Sequence, residues 1–315
     1  LRKLFNYKIA PRYSFKSRSL TGSASIFKSH DIQNKNLYAI HYGIVGGYNS
    51  YAENLFVRQI TPSIQFRFRQ NNDFRSNKKH WLSIRHVNIQ RDRDDSNILT
   101  TTEPNYSVFN IRYVNSNDNL INYKKWYTDF QAGQDFSKVS FNYEYRRLFE
   151  SNRQINIRAF AGAFLKNKTD INSNYFSFAL DRPTDYLFDY NYLGRSEASG
   201  IFSQQYITAE GGFKSKLETP FANQWITTMN MSTTLWKYVL AYGDMGLVKN
   251  KFDSAHFVYD SGVRINLVTD YFEIYLPIYS NLGWEIGKPN YDQKIRFKFT
   301  ADPQVLLGLF RRRWF

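Results

Sequence analysis

The sequence predicts an all-β fold, a transmembrane antiparallel β-barrel of about 14 strands (about 12–16), on three observations: a hydrophobic period of two, strands long enough to cross a bilayer, and an unusual stock of aromatic residues. Alternation is strongest at Ile60, Pro62, Ile64, Phe66 and Phe68; at Val139, Phe141, Tyr143 and Tyr145; at Phe257, Tyr259, Ser261, Val263, Ile265 and Leu267; and at Ile295, Phe297 and Phe299. The residues between are polar: Thr61, Ser63, Gln65, Arg67 and Arg69 in the first run, Lys294, Arg296 and Lys298 in the last. Such strands carry one apolar and one wet face.

Taken in order, strands are expected near 12–28, 36–48, 55–69, 80–91, 105–115, 124–134, 136–149, 152–165, 205–216, 225–234, 238–248, 255–267, 271–279 and 293–301. Most run to ten or more residues, against about five or six in globular proteins. A bilayer-crossing strand needs about nine to eleven. Between them, Gln134-Asp135 and Glu150-Ser151-Asn152 read as tight turns, while 70–79, 92–104 and above all 166–204 are long and polar. Short turns on one side and long loops on the other are the asymmetry of a membrane barrel. No Pro/Ser-rich linker divides the chain, so residues 1–301 are expected to form one barrel domain.

Composition agrees and closes off other classes. The 315 residues include 24 Tyr, 27 Phe and 6 Trp but only 3 Met, and no cysteine, which rules out disulfides, Cys-ligated metals and cysteine nucleophiles. At 42% hydrophobic the chain folds. No apolar run reaches about 18 residues, so no helix is expected to span a membrane. The mean hydropathy of −0.55 suits a barrel, whose strands dilute lipid-facing residues with polar ones. The chain opens LRKLFNYKIAPRYSF, without Met or a signal-peptide pattern, and reads as one piece of a longer chain.

With the apolar face outward, the opposite face carries Lys16, Arg18, Arg67, Arg69, Arg85, Arg112, Arg146, Arg158, Arg264, Lys294, Arg296 and Lys298, against Asp129, Glu144, Glu210, Asp244, Asp260 and Glu273. This excess accounts for part of the formal charge of +15. Two readings stand: the charges pair across the lumen and brace the wall, or a basic lumen passes anions. Aromatic residues gather near strand ends at Tyr48, Tyr51, Trp81, Tyr123, Trp126, Tyr127, Trp225, Trp236, Tyr238, Tyr271, Phe272 and Trp284, where a barrel places its interfacial girdles. At the C-terminus, Asp302-Pro303 can start a helix. Val305, Leu306, Leu309 and Phe310 then follow at helical spacing, with Arg311, Arg312 and Arg313 in the last turn, predicting an amphipathic helix over 302–315 at the barrel end or membrane interface.

Catalytic patterns are missing. His30, His41, His80, His86 and His256 form no H-E-x-x-H, and no nucleophile elbow, Walker A or dinucleotide fingerprint occurs, so no catalytic residue, cofactor or metal is expected in this chain. The one dense polar constellation lies in 166–204: Asp181, Asp185, Asp189 and Arg195. Its carboxylates could converge on a cation, although the spacing fits no EF-hand. Alternatively the loop is packed by its own Tyr and Phe and closes over the barrel mouth. No RNP motif or compact basic cluster suggests nucleic-acid binding.

FVYDSGVRINLVTDYFEIYLPIYSNLGWE (257–285) and YDQKIRFKFTADPQVLLGLFRRRWF (291–315) resemble the end of large cell-envelope proteins of the Bacteroidetes, gluzincin-type (aminopeptidase-like) zinc metallopeptidases, and DYNYLGRSEASGIFSQQYITAEGGFKS (189–215) is similar too. The resemblance implies that this chain is the C-terminal outer-membrane region, that peptidase chemistry lies upstream, and that no zinc ligand or catalytic Glu falls on it. The expected role is therefore an integral anchor in the Gram-negative outer membrane, with the lipid bilayer and an upstream domain as partners. The alternatives are an anion-preferring pore or transporter, and a subunit of an outer-membrane assembly or secretion complex that binds other membrane proteins.

Overall fold

A computed structural model describes residues 5–14, 19–32, 36–52, 55–68, 77–95, 98–102, 105–151, 153–168, 176–181, 186–189, 200–268 and 272–299. The strands in chain order are β1 (Asn6–Ser14), β2 (Ser19–Asp31), β3 (Leu37–Ala52), β4 (Leu55–Phe68), β5 (Lys78–Asp95), β6 (Ile98–Thr102), β7 (Tyr106–Asp118), β8 (Asn122–Gly133), β9 (Phe136–Leu148), β10 (Gln154–Asn167), β11 (Phe178–Ala179), β12 (Phe221–Ala222), β13 (Trp225–Trp236), β14 (Val239–Lys249), β15 (Ala255–Val268), β16 (Phe272–Ser280), β17 (Gly283–Trp284) and β18 (Arg296–Phe299). Sixteen of them form one antiparallel sheet in which chain neighbours are sheet neighbours; β11 and β12 make a separate small ladder. The fold is all-β, as predicted.

Without the short β6 and β17 the wall has 14 strands, the expected number, but partly through compensation. The segment read as one strand over 12–28 is the hairpin β1–β2, with Ser14 opposite Ser19. The segment 205–216 is not a strand: Gln205 makes a single bridge to Phe297, and the chain then turns through Gly212 at φ +70. The predicted strand 293–301 begins later, because Tyr291–Lys294 forms a 3-10 turn. The predicted helix over 302–315 lies outside the described residues.

In an antiparallel meander successive connections alternate between ends. One end holds the connections at 134–135 and 250–254 and the 57-residue insert 168–224; we call it the insert end. The other, the termini end, holds 119–121, 149–153 and 237–238, and is where β1 starts and β18 finishes. The asymmetry expected from the sequence is therefore imperfect: 69–77 is long but sits at the termini end, and the tight 134–135 sits at the insert end.

The insert shows that the sheet is curled. From this one segment, Leu187 O accepts from Gln59 of β4 (2.8 Å), Asp189 pairs with Arg85 of β5, Tyr186 O accepts from Tyr106 of β7 (3.1 Å), Ala209 O accepts from Arg158 of β10 (3.1 Å) and Lys214 meets Asp244 of β14. Arg296 of β18 donates to Lys214 O at 3.2 Å. Strands this far apart in the sheet order reach one segment only if the sheet wraps around it. Arg12 of β1 and Asn49 of β3 share a cavity of about 220 Å³ with Phe188 and Asp189 of the insert, which brings the first strands into the same wrap. Among the described residues no ladder joins β1 to β18; instead the free edge of β18 takes Tyr206, whose N–H donates to Phe297 O at 2.6 Å.

Two apolar clusters fill the interior near the insert end. Phe178, Leu180, Phe213 and Leu217 of the insert pack against Phe160, Ile226, Val248 and Val258 of the wall. Tyr186 and Leu187 pack against Val57, Val87, Ile89, Val108 and Phe136. Gly162 permits this approach: a Cβ there would lie 2.6 Å from the Phe178 ring. The inward face is thus apolar under the insert and polar toward the termini end.

Candidate functional site

The inward residues of β13 to β18 and the segment 200–217 build a buried charged latch. Lys214 enters from the insert, and its Nζ donates to both Asp244 carboxylate oxygens at 2.8 and 2.7 Å. The rings of Tyr206, Tyr242 and Tyr275 lie 5.5, 5.2 and 6.0 Å from the ammonium, a cage suited to a cation. Asp260, 2% exposed, accepts the backbone N–H of Lys214 (2.8 Å) and of Ser215 (2.6 Å), so the wall grips main chain as well as side chain. Asn230 ties Asp244 (2.9 Å) to Gly211 O (3.1 Å), and Arg296 reaches Ser203 O at 3.0 Å. Burial alone would depress the Lys214 ammonium, but Asp244, Tyr206 and Asp260 outweigh it and hold its pKa above the ordinary lysine value.

The positions that look small in the sequence make this geometry possible. Gly212 adopts a left-handed backbone, and a Cβ there would meet Asn230 Oδ1 at 2.7 Å and Arg158 Nη1 at 2.8 Å. Gly211, Gly212 and the strand pattern around them gave no sign in the sequence that Lys214 is buried. Only the wall partners Asp244 and Asp260, two inward carboxylates on adjacent strands and directly opposite in register, hinted that a cation was needed.

The predicted lumen residues fall as follows. Arg85 pairs with Asp189 through two bonds of 2.8 and 2.5 Å, and Arg112 with Asp129 at 2.8 Å. Arg264 pairs with the buried Glu273, and Arg296 lies 3.9 Å from Asp181. Arg158 is held by Asn142 Oδ1 (2.7 Å), Ala209 O and Asn230, and Glu144 by Asn142 (2.9 Å) and Tyr123. Arg146 stacks over Tyr123, Arg67 donates to Gln65 (3.4 Å), and Lys298 lines the interior. Lys294 is not a lumen strand residue: it sits in the 3-10 turn and pairs with Glu285 at 2.5 Å. Glu210, expected on a wall strand, belongs to the insert and faces Lys138 of β9 at 3.6 Å. Burial raises the pKa of its carboxyl. Lys16, Arg18 and Arg69 lie outside the described residues.

Pairing, one of the two readings of the basic lumen, describes Arg85, Arg112, Arg264 and Arg296, while Arg158 is held by neutral oxygens. The candidate loop also resolves: Asp181 and Asp189 go to arginines on β18 and β5 and do not converge on a cation, while Asp185 and Arg195 lie outside the described residues. The loop enters the curl, where the sequence suggested a cover over its mouth. Among the described residues no group of acidic and histidine side chains could hold a metal. His80 meets Tyr113 on the outward face, and His256 bonds Asp253 in a turn (2.8 Å).

The outward face has its own organisation. A row of rings, Phe68, His80, Tyr113, Trp126 and Phe141, crosses β4 to β9 toward the termini end at centroid spacings of 4.7, 4.9, 5.1 and 6.2 Å. A second row, Phe257, Tyr259, Tyr279 and Trp284, lies at the insert end, with Tyr279 turned outward by a register shift in the β15–β16 pairing. Trp236 and Trp284 are exposed, as girdle residues would be, but Trp81, Tyr123 and Tyr127 point inward, against the expectation. Tyr51 falls on β3, and Tyr271 lies outside the described residues. Compared with known proteins, the chain matches no family model and no curated protein.

Proposed function

We propose that the chain is a membrane-embedded β-barrel of the Gram-negative outer membrane, closed around its own insert, that anchors a larger cell-envelope protein. The observation that carries this reading is the apolar band on the outside of the curl. Ile9, Ile26, Ile44 and Ile60 on successive strands are 74%, 58%, 55% and 58% exposed. A soluble protein rarely exposes contiguous apolar area beyond a few hundred Å². Along β15 the outward side chains run from Phe257 to Leu267. Ten residue steps at about 3.3 Å, tilted by about 35–45°, cross roughly 23–27 Å, close to the apolar height of about 25 Å in membrane barrels. Closure in lipid satisfies backbone groups that an open edge would leave bare.

The filled interior favours an anchor over the anion-preferring pore. Two apolar clusters occupy the interior near the insert end, and Lys214 and Arg264 are neutralised in place by Asp244 and Glu273. The identity of the anchored partner rests on the resemblance of 257–285 and 291–315, which points to a metallopeptidase domain upstream. Refolding into detergent and then liposomes tests the membrane reading: the chain should float with vesicles, resist carbonate extraction and run with heat-modifiable mobility. A monodisperse chain without detergent would overturn it. Planar-bilayer recording separates the alternatives, since the anchor predicts silence and the pore a steady anion current.

A further inference from the structure

We propose that the polar chamber at the termini end is a binding site for a small organic anion carrying two or more carboxylate or phosphate groups. The inference concerns binding and not passage, and it needs only the curl of the sheet, not the membrane reading.

The chamber has a volume of about 230 Å³ and adjoins a second space of about 370 Å³; Glu144, Arg158 and Thr208 line both. Together they reach the range of small-molecule sites, and the polar groups are few and convergent. Charge bookkeeping separates the residues that brace the wall from those left to meet a ligand. Arg264 is neutralised by Glu273 and Lys214 by Asp244. Arg158 is different: its Nε and Nη1 donate only to neutral oxygens of Asn142, Ala209 and Asn230, with no carboxylate within ion-pair distance among the described residues. These bonds fix the guanidinium plane without cancelling its charge, the preorganisation that bidentate recognition of an oxyanion requires. Lys298 lines the same chamber and makes no ion pair among the described residues. Against these two cations stand Glu144, already held by Asn142 and Tyr123, and, in the second space, Glu210, which faces Lys138. A fixed guanidinium and a second cation in a ligand-sized cavity favour a multivalent anion over a neutral sugar or a cation.

The test is isothermal titration of the purified chain in non-ionic detergent at low salt with citrate and, separately, inorganic phosphate; glucose is the neutral control. Citrate should bind saturably and phosphate should compete, with affinity falling as salt rises. Arg158→Gln and Lys298→Gln should each weaken citrate by about tenfold or more. Lys168→Gln, whose side chain pairs with Asp135 at the opposite end, should leave it unchanged. Lys298→Gln guards against misfolding, since that side chain braces nothing. No saturable citrate binding, or binding equal in wild type and Lys298→Gln, would overturn the proposal. Vesicle flotation of the same preparation reports on the membrane reading independently.

Discussion

Replacing Lys214 by Met keeps the aliphatic stem and removes the charge that holds the insert to the wall. The variant loses two charge-assisted bonds to Asp244, of 2.8 and 2.7 Å, and the cation's contacts with three tyrosine rings. It also strands Asp244, 2% exposed, beside Asp260 at the same level of burial. Breaking one partner of a buried pair costs about 3–5 kcal/mol, most of it the uncompensated charge. The remaining attachments, Asp260 to two backbone amides and Arg296 to Lys214 O, lie within the same network and weaken with it. At about 1.4 kcal/mol per factor of ten, local opening of 209–217 becomes about 10²–10⁴ times more populated. Hydrogen exchange read by mass spectrometry on peptides covering 209–217 should show that acceleration, while peptides from β7 to β9 stay as slow as in wild type. Unchanged exchange across 209–217 in a folded variant would refute the latch.

Three other perturbations test separate parts of the structure. Gly162→Val should push the Phe178 ring off the wall, where even a Cβ would approach to 2.6 Å, and lower the unfolding midpoint by an amount equivalent to about 1–3 kcal/mol of overpacking. Burial raises the pKa of Glu210 when the insert is docked, so the docked state binds the proton more readily than the undocked one. Docking is therefore strongest below the ordinary value of 4.5 and weakens as pH rises through the raised value. Exchange of 209–217 followed against pH should show that trend, and Glu210→Gln should flatten it. Ile44→Lys, on the outward face, should destabilise the refolded chain in liposomes by about 2–4 kcal/mol if the position lies near the midplane, measured by urea titration, whereas the same change would be nearly neutral on a wet surface.

The outer wall was legible because period two is a local signal. Each of Phe257, Tyr259, Val263, Ile265 and Leu267 announces its face from its neighbours alone, and the ladder keeps that register. The same alternation put Arg112 with Asp129 and Arg264 with Glu273 on the inward face, where register brings the first pair directly opposite and the second diagonally across. The insert was not legible for the opposite reason. Lys214, Glu210 and Asp189 are placed by contacts with residues 30 to 104 positions away, which no local pattern reports. Alternation over 205–216 suggested a strand, but Gly211 and Gly212 let the chain turn into the wall in place of joining it. The inward Trp81 and Tyr127 show a similar limit: aromatic residues near strand ends suit a girdle, but only register decides their face.

The central claim is that lipid covers the outward face while the insert fills the inside. The chain has no cysteine, so single cysteines at successive positions 257 to 267 of β15 can carry a fluorophore without background. After reconstitution, lipid-attached quenchers should quench the odd positions and spare the even ones, with a period of two along the whole strand. Equal quenching at odd and even positions, or quenching only by a water-soluble agent, would contradict the account.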